Sequence, residues 1–423
     1  MSTGYRPTTT GTITVIGPSL ALSNGTPVLG MRQTGSSGSG SSYVSVPNNV
    51  VDTLVVNLLS TDPRVATVPA SVKILPGTPY AYFDVTAQDT VGTIQIQATA
   101  TGYSPAFPMV VQVTRPKFVM STATQLNTTS PAQGITIYAA DVNGQAHYTT
   151  EDVTVTLASS APSVASIDSA TITIPAGMYY VSTAKWSPGV TGTAQLSASD
   201  ARAAYYQYDR GTVNVAVVTP SLTFSWGSQP LGIGQYIDEY VSTPDNAAAP
   251  IDVAFSHIGP ARTSTDTVGV ATTGVRIPQG TYYGNFRIVG TAAGTDTLVA
   301  TATSPVHNAA TAYTVVGQGL IDPIGNWPGS LKVGDSVEVT LYARDPAGNG
   351  RYVLAATTFT LQPNAYIEFR SGGASSTVIT QVTIPANQYY VQFYVKGLSA
   401  GTGSATFTAP NYQPSSIYAV TIQ

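Results

Sequence analysis

Four stretches of the sequence carry one pattern: "VKILPGTPYAYFDV" from Val72, "ITIPAGMYYVSTAKW" from Ile172, "VRIPQGTYYGNFRIV" from Val275 and "VTIPANQYYVQFYV" from Val382. Aligned on Gly77, Gly177, Gly280 and Asn387, they recur at intervals of 100, 103 and 107 residues. A tyrosine stands three residues after each anchor, at Tyr80, Tyr180, Tyr283 and Tyr390. A second motif follows 14 to 16 residues after each anchor: "GTIQIQA" at Gly92, "GTAQLSA" at Gly192, "GTDTLVA" at Gly294 and "GSATFTA" at Gly403. Two linked anchors that recur four times define an array of units of about 100 residues, not one large globule.

Within each unit the residues read as strands. "TVTL", "TITI", "VEVTL", "IQIQA" and "QFYV" are alternating or β-rich, and Gly, Pro, Asn and Asp punctuate them at intervals of roughly 8–12 residues. No long amphipathic helical pattern interrupts them. Many short strands in about 100 residues predict an all-β fold, a tandem array of four immunoglobulin-like β-sandwich domains. The boundaries read as an N-terminal extension over 1–10 and domains over 11–115, 116–219, 220–318 and 319–423. The joins near Pro116, Pro220 and Gly319 are short. Pro76, Pro175, Pro278 and Pro385 sit near strand ends and fit edge strands, where a missing N–H costs little.

Charge excludes several functions. Only 9% of the 423 residues are charged, against roughly 25% in an ordinary soluble domain. With 17 Lys plus Arg and a net charge of −4, the chain has no cationic surface for nucleic acid. No apolar run is long enough to insert into a membrane as a helix. The absence of cysteine removes disulfides, thiolate metal sites and cysteine nucleophiles. The start "MSTGYRPTTTGTITV" lacks the basic and apolar regions of a secretory signal. It predicts either a complete chain exported by another route or a piece of a longer one.

Catalytic and metal-binding constellations are weak. "ADVNGQAHYTT" from Ala140 offers Asp141, Asn143 and His147, but Gly144 is at the fourth position of a loop that would need glycine at the sixth for an EF-hand. The corresponding "RDPAGNG" with Asp345 and "STPDNAAAP" with Asp245 mark the same place as a turn between strands. His147, His257 and His307 lack ligand spacing and read as separate, solvated loop residues. Glu151, Glu239, Glu338 and Glu368 give few carboxylate pairs, and the adjacent Asp238 and Glu239 face opposite ways in a strand. "GSSGSGSS" from Gly35 has neither phosphate-loop nor nucleophile-elbow spacing and reads as a loop. No catalytic residue, metal ligand or cofactor is assigned.

The doubled tyrosines offer more. Neighbours in a strand face opposite ways, so the second of each pair (Tyr180, Tyr283, Tyr390) is assigned to the core. The first (Tyr179, Tyr282, Tyr389) is assigned to an outward row for contact with a neighbouring subunit or a glycan.

The segment "ITIYAADVNGQAHYTTEDVTVTLASSAPSVASI" from Ile135 resembles the bacterial Ig-like repeats of invasin, intimin and related surface proteins, in which a strand, a D-x-N-G turn and a further strand follow one another. "STDPRVATVPASVKILPGTPYAYFDVTAQDTVGTIQIQATATGY" from Ser60 resembles related repeats with "V-A-x-V" and "V-G-T" signatures. Asn387 in place of glycine, and "STPDNAAAP" in place of the turn, depart from the pattern. The resemblance implies a non-catalytic extracellular stalk, surface-layer or adhesive protein on a cell surface. Its partners would be protein or glycan ligands and neighbouring copies of itself, in a homo-oligomer or filament. The alternative it implies is a structural subunit of a phage virion. The turn reading of Asp141, Asp245 and Asp345 predicts a melting temperature unchanged by EDTA. A metal held only by the folded state stabilises by about 2.7 kcal/mol at a hundredfold excess over its Kd, so a drop of several degrees, restored by calcium, would overturn it.

Overall fold

The run Thr171–Ile174 alternates threonine with isoleucine and forms an outermost strand, with Ile172 and Ile174 turned inward and both threonines exposed. Directly after it the repeated motif moves the chain from one sheet to another. In the computed structural model, which describes residues 17–25, 27–35, 42–202, 207–322 and 326–423, this happens in all four repeats. Strands Ser71–Ile74, Thr171–Ile174, Gly274–Ile277 and Gln381–Ile384 each end a five-stranded sheet. The strands that follow, starting at Tyr80, Tyr180, Tyr283 and Tyr390, belong to a different sheet. The four prolines lie just past the edge strands, where no ladder bond is lost.

The anchor residue makes the reversal possible. Gly77, Gly177 and Gly280 have φ of 80°, 77° and 79°, a left-handed conformation that glycine enters without steric penalty. Asn387 adopts φ 63° at the same place, as asparagine can. Each anchor N–H is held by a carbonyl from an earlier segment: Val50, Thr149, Ala247 and Val353, at 2.8–2.9 Å. The isoleucine ahead of each turn (Ile74, Ile174, Ile277, Ile384) is wholly buried.

All described residues in regular structure are in strands, arranged in nine sheets. The five-stranded sheet that contains each edge strand has the same order in every repeat. Its short first strand pairs in parallel with the repeat's last: Val28–Gly30 with Met109–Thr114, Gln125–Asn127 with Gly211–Val218, Ser228–Gly232 with Val306–Gly317, and Ser330–Leu331 with Tyr418–Ile422. All other named strand pairs are antiparallel among the described residues. Buried side chains from this sheet and its partner form four clusters, spanning Leu20–Val113, Phe118–Val217, Leu222–Val316 and Ile321–Ile422. The second motif begins the strand next to the last. In the fourth repeat, however, that strand begins at Gly401, with φ 146° like Gly192 and Gly294, and pairs with Ile422. Gly401, not Gly403, is therefore the counterpart. "GTG" offers two equivalent glycines, and the ladder register chooses the first.

The chain divides into two compact units, Met1–Val218 and Thr219–Gln423, each holding two of these cores. Inside a unit the two cores are tied by the same device. In the first unit Tyr148–Thr149, from the second repeat, pairs with Gln33–Thr34 of the first. In the second unit Tyr352–Val353 pairs with Gln235 and Tyr236 in the same way. Gln33 and Gln235 are wholly buried. Gln33 Oε1 accepts from Gly30 N at 2.7 Å, and its amide donates to the Tyr208 hydroxyl at 3.4 Å. Gln235 Oε1 accepts from Gly232 N at 2.9 Å, while its amide donates to Arg344 O at 2.9 Å and to the Tyr412 hydroxyl at 3.0 Å. Burial pushes both phenols up to about 12, so both stay protonated. This pairing recurs every two repeats and escapes a search at the single-repeat period. The N-terminal extension over 1–10 and residues 36–41 of the Gly/Ser loop lie outside the described residues.

Gln235→Ala leaves three buried polar partners unsatisfied, each a loss of about 1–3 kcal/mol. The full chain should lose roughly 3 kcal/mol in urea unfolding of its second unit, and Tyr412→Phe, which removes one hydroxyl, about 1 kcal/mol. A Gln235→Ala variant as stable as the parent would contradict the tie.

Candidate functional site

The strand that leaves each anchor turn has one face on the core and one away from it. In the third repeat Gly284, Phe286 and Ile288 face in, and Tyr283 and Asn285 face out. In the fourth, Phe393 and Val395 face in, and Tyr390 and Gln392 face out. In the first, Phe83 faces in, and Tyr80 and Tyr82 face out. The second tyrosine of each pair is therefore not a core residue: Tyr283 is 39% exposed, Tyr390 38% and the matching Tyr80 45%, while Tyr180 is half-buried. The facing read from the sequence is corrected because Tyr179, Tyr282 and Tyr389 end the turn and precede the strand. The period of two starts one residue later, and the large inward aromatic arrives three residues after the tyrosine, at Phe83, Phe286 and Phe393.

Both tyrosines of a pair thus lie on the outer side and gather others around them. Tyr43, Tyr80 and Tyr82 stand within 5.3–6.1 Å of one another, measured between ring centres. Tyr179 lies 4.9 Å from Tyr180 and 5.2 Å from Tyr148, and Tyr180 is 6.0 Å from Tyr138. Tyr282, half exposed, is 5.1 Å from Tyr283, which is 5.7 Å from Tyr240. Tyr389 is 5.1 Å from Tyr390 and 5.5 Å from Tyr352, which stacks at 5.5 Å on Tyr236. Of the three assigned contact residues, Tyr282 is exposed, whereas Tyr179 and Tyr389 are half-buried against Tyr148 and Tyr352. The last cluster reaches back across the tie. The Arg287 guanidinium lies 4.2 Å over the Tyr236 ring, and the Tyr236 hydroxyl donates to Asn387 Oδ1 at 3.0 Å. Asn387 therefore supplies both the left-handed turn and a side-chain bond that glycine cannot make.

The aspartate turns are closed on themselves. Asp141 Oδ1 accepts from Asn143 N at 2.8 Å and Gln145 N at 3.0 Å, and Oδ2 faces His147 Nε2 at 3.2 Å. Asp345 Oδ1 accepts from Ala347 N and Asn349 N, and Oδ2 from Arg351 Nε at 2.9 Å. Asp245 lies in a bend after Gln235–Ser242, where its carbonyl accepts from the Thr243 hydroxyl at 2.9 Å. Among the described residues no three His, Asp or Glu side chains come together as a metal-binding group.

The histidines are not solvated. His147 and His307 are buried, and His257 is nearly so. His147 meets Asp141 and His257 meets Asp296, which is why the sheets admit them, while His307 meets Pro305 O through Nδ1 and keeps its buried Nε2 without a partner among the described residues. Asp296, His257 and Thr263 form a chain with contacts of 2.8 and 3.4 Å that has the order of a charge-relay triad. Thr263, however, is wholly buried and donates its hydroxyl to Thr272 O at 2.7 Å, so this is a structural tie with no access for a substrate. Asp238 and Glu239 do face opposite ways: Asp238 meets Arg287 on the outer face, and Glu239 accepts from the Ser225 hydroxyl.

No known family model matches the chain, and no curated protein matches it. Among solved structures, domains 1–6 of the surface-layer protein SbsC share 14% identity over 92% of this chain, with a TM-score of 0.29. The chain spans about half the length of that protein, covering 50% of it. The Yersinia pseudotuberculosis adhesin InvE shares 16% identity over 54% of this chain and 67% of its own, with a TM-score of 0.20. The Escherichia coli adhesin FdeC shares 13% over 73% and 97%, with a TM-score of 0.22. Scores this low carry no structural argument.

Burial holds the His147 pKa below the usual 6.5, against the pull of Asp141. A histidine depressed in the folded state binds fewer protons there than in the unfolded chain. Its contribution to stability is therefore full above about pH 6.5 and is lost as pH falls through the folded value. The first unit should melt lower as pH drops below that range, and His147→Gln should flatten the trend. An unchanged pH profile in that variant would contradict this.

Proposed function

We propose that the chain is a non-catalytic extracellular structural and adhesive protein. In this reading it is built of four immunoglobulin-like sandwiches over 11–115, 116–219, 220–318 and 319–423. Its outward tyrosine faces meet protein surfaces, including neighbouring copies of the chain. The observation that carries the reading is the placement of Tyr80, Tyr282, Tyr283 and Tyr390. The same turn presents these rings to solvent, each 38–49% exposed, while the cores are filled by other side chains. Exposed tyrosine is a frequent interface anchor, because a large ring is buried at little entropic loss and its hydroxyl keeps a polar handle. The low charge suits a surface that packs against its own kind, since few ions need desolvation.

Sedimentation velocity over a concentration series tests this. The parent chain should self-associate, and a variant with Tyr80, Tyr82, Tyr282, Tyr283 and Tyr390 all changed to Ser should remain folded and monomeric. A parent chain that is monomeric throughout, or a variant that associates equally well, would count against the tyrosine faces.

A further inference from the structure

In the third repeat the outer face is more than a row of rings. Strands Gln235–Ser242 and Tyr283–Gly290 pair with Asp238 opposite Arg287 and Tyr240 opposite Asn285, placing these four side chains together on the outward side. The segment Thr265–Val270 leaves strand Ala261–Ser264 and forms a wall beside them. Its shape is fixed by Asp266 Oδ1, which accepts from Ser264 Oγ at 3.0 Å, Val268 N at 3.1 Å and Val270 N at 3.0 Å. It is also seated against the fourth repeat: a Cβ on Gly269 would lie 2.6 Å from Leu354 Cδ2. Between wall and sheet lies a groove of about 450 Å³ lined by Asp238, Tyr240, Thr265, Thr267, Asn285 and Arg287.

Arg287 holds the groove in place. Its Nε donates to Asp238 Oδ1 at 2.5 Å and its Nη1 to Asp266 O at 3.3 Å, with the guanidinium packed on Tyr236. Other polar groups have no partner among the described residues: the second oxygen of Asp238, the Asn285 amide, and the hydroxyls of Tyr240, Thr265 and Thr267. A carboxylate oxygen, an amide and hydroxyls beside an exposed aromatic ring suit one kind of ligand. Its rim must carry many hydroxyls and one of its faces must be C–H. A sugar ring meets both needs, with its hydroxyls taken by the carboxylate and amide and its C–H face laid on the negative face of Tyr240. The volume lies within the range of roughly 300–1,000 Å³ of small-ligand pockets, enough for about one or two rings. Two carboxylates (Asp238, Asp266) against one guanidinium disfavour an anionic ligand.

We propose that this groove binds a neutral saccharide. It rests on the surface reading only for where the chain would meet such a ligand. The test is saturation-transfer NMR on the full chain with glucose, galactose, mannose, N-acetylglucosamine and their β-linked disaccharides, and with glucuronic and N-acetylneuraminic acids for comparison. At least one neutral sugar should take up saturation on its ring C–H protons. Tyr240→Ala and Asn285→Ala should each weaken its Kd by about tenfold or more, a loss of about 1.4 kcal/mol. Thr267→Arg, on the exposed wall, should block binding without touching the sheet, and Thr171→Ala, on an exposed edge position of the second repeat, should leave binding unchanged. The proposal is overturned if no neutral sugar binds at roughly tens of millimolar. Equal binding by the three groove variants, or a preference for the acidic sugars, overturns it as well. Self-association is read separately by sedimentation, so either result can fail while the other stands.

Discussion

A left-handed residue between two strands governs this protein. The chain must leave the edge of one sheet and enter another without exposing the core, and a single residue with φ near 60–80° makes the reversal. With its N–H tied to a neighbouring carbonyl, the turn fixes the isoleucine before it inside the core and starts the following strand in one register. Everything outward follows from that register. Tyrosine takes the first outer position, phenylalanine the inner one in the first, third and fourth repeats, and the third repeat's Asp238, Tyr240, Asn285 and Arg287 come to share one face.

The second constraint is the buried glutamine of each unit. An amide at zero exposure needs a partner for its oxygen and its nitrogen, and here the partners come from both repeats of the unit. The two units vary the surroundings while keeping this tie. Where the first places His147 against Asp141, the second places Arg351 against Asp345 and extends it to Gln229. One joint therefore carries a titratable contact and the other a permanent charge.

Much of this was legible in the sequence and some was not, for identifiable reasons. The strand content, the four-fold motif and the aspartate turns could be read because each is a local pattern, carried by neighbours in the chain. The facing of the tyrosines was misread because Tyr179, Tyr282 and Tyr389 look like strand residues but end a turn. Gly401 was passed over for Gly403 because only cross-strand pairing distinguishes them. The histidines were taken as solvated because burial depends on the sheets packed over them; His257 also has its partner, Asp296, on another strand, whereas Asp141 and Pro305 stand close to His147 and His307 in the chain. Gln33 and Gln235 were missed because their shared motif, "LGMRQ" from Leu29 and "LGIGQ" from Leu231, recurs only at every second repeat, and the tyrosines that complete them stand 175 and 177 residues away. The groove was hidden likewise, since its wall and floor come from two separate strands and a loop.

The glutamine tie also sets the step in which such a chain can grow or shrink during evolution. Removing one repeat from a unit would strand a polar amide in an apolar interior and uncover the strand edge that its neighbour had capped. Removing both repeats of a unit takes the amide away together with its partners. Duplication and loss in this lineage should therefore proceed in blocks of about 200 residues, so that the heritable module is the pair of repeats.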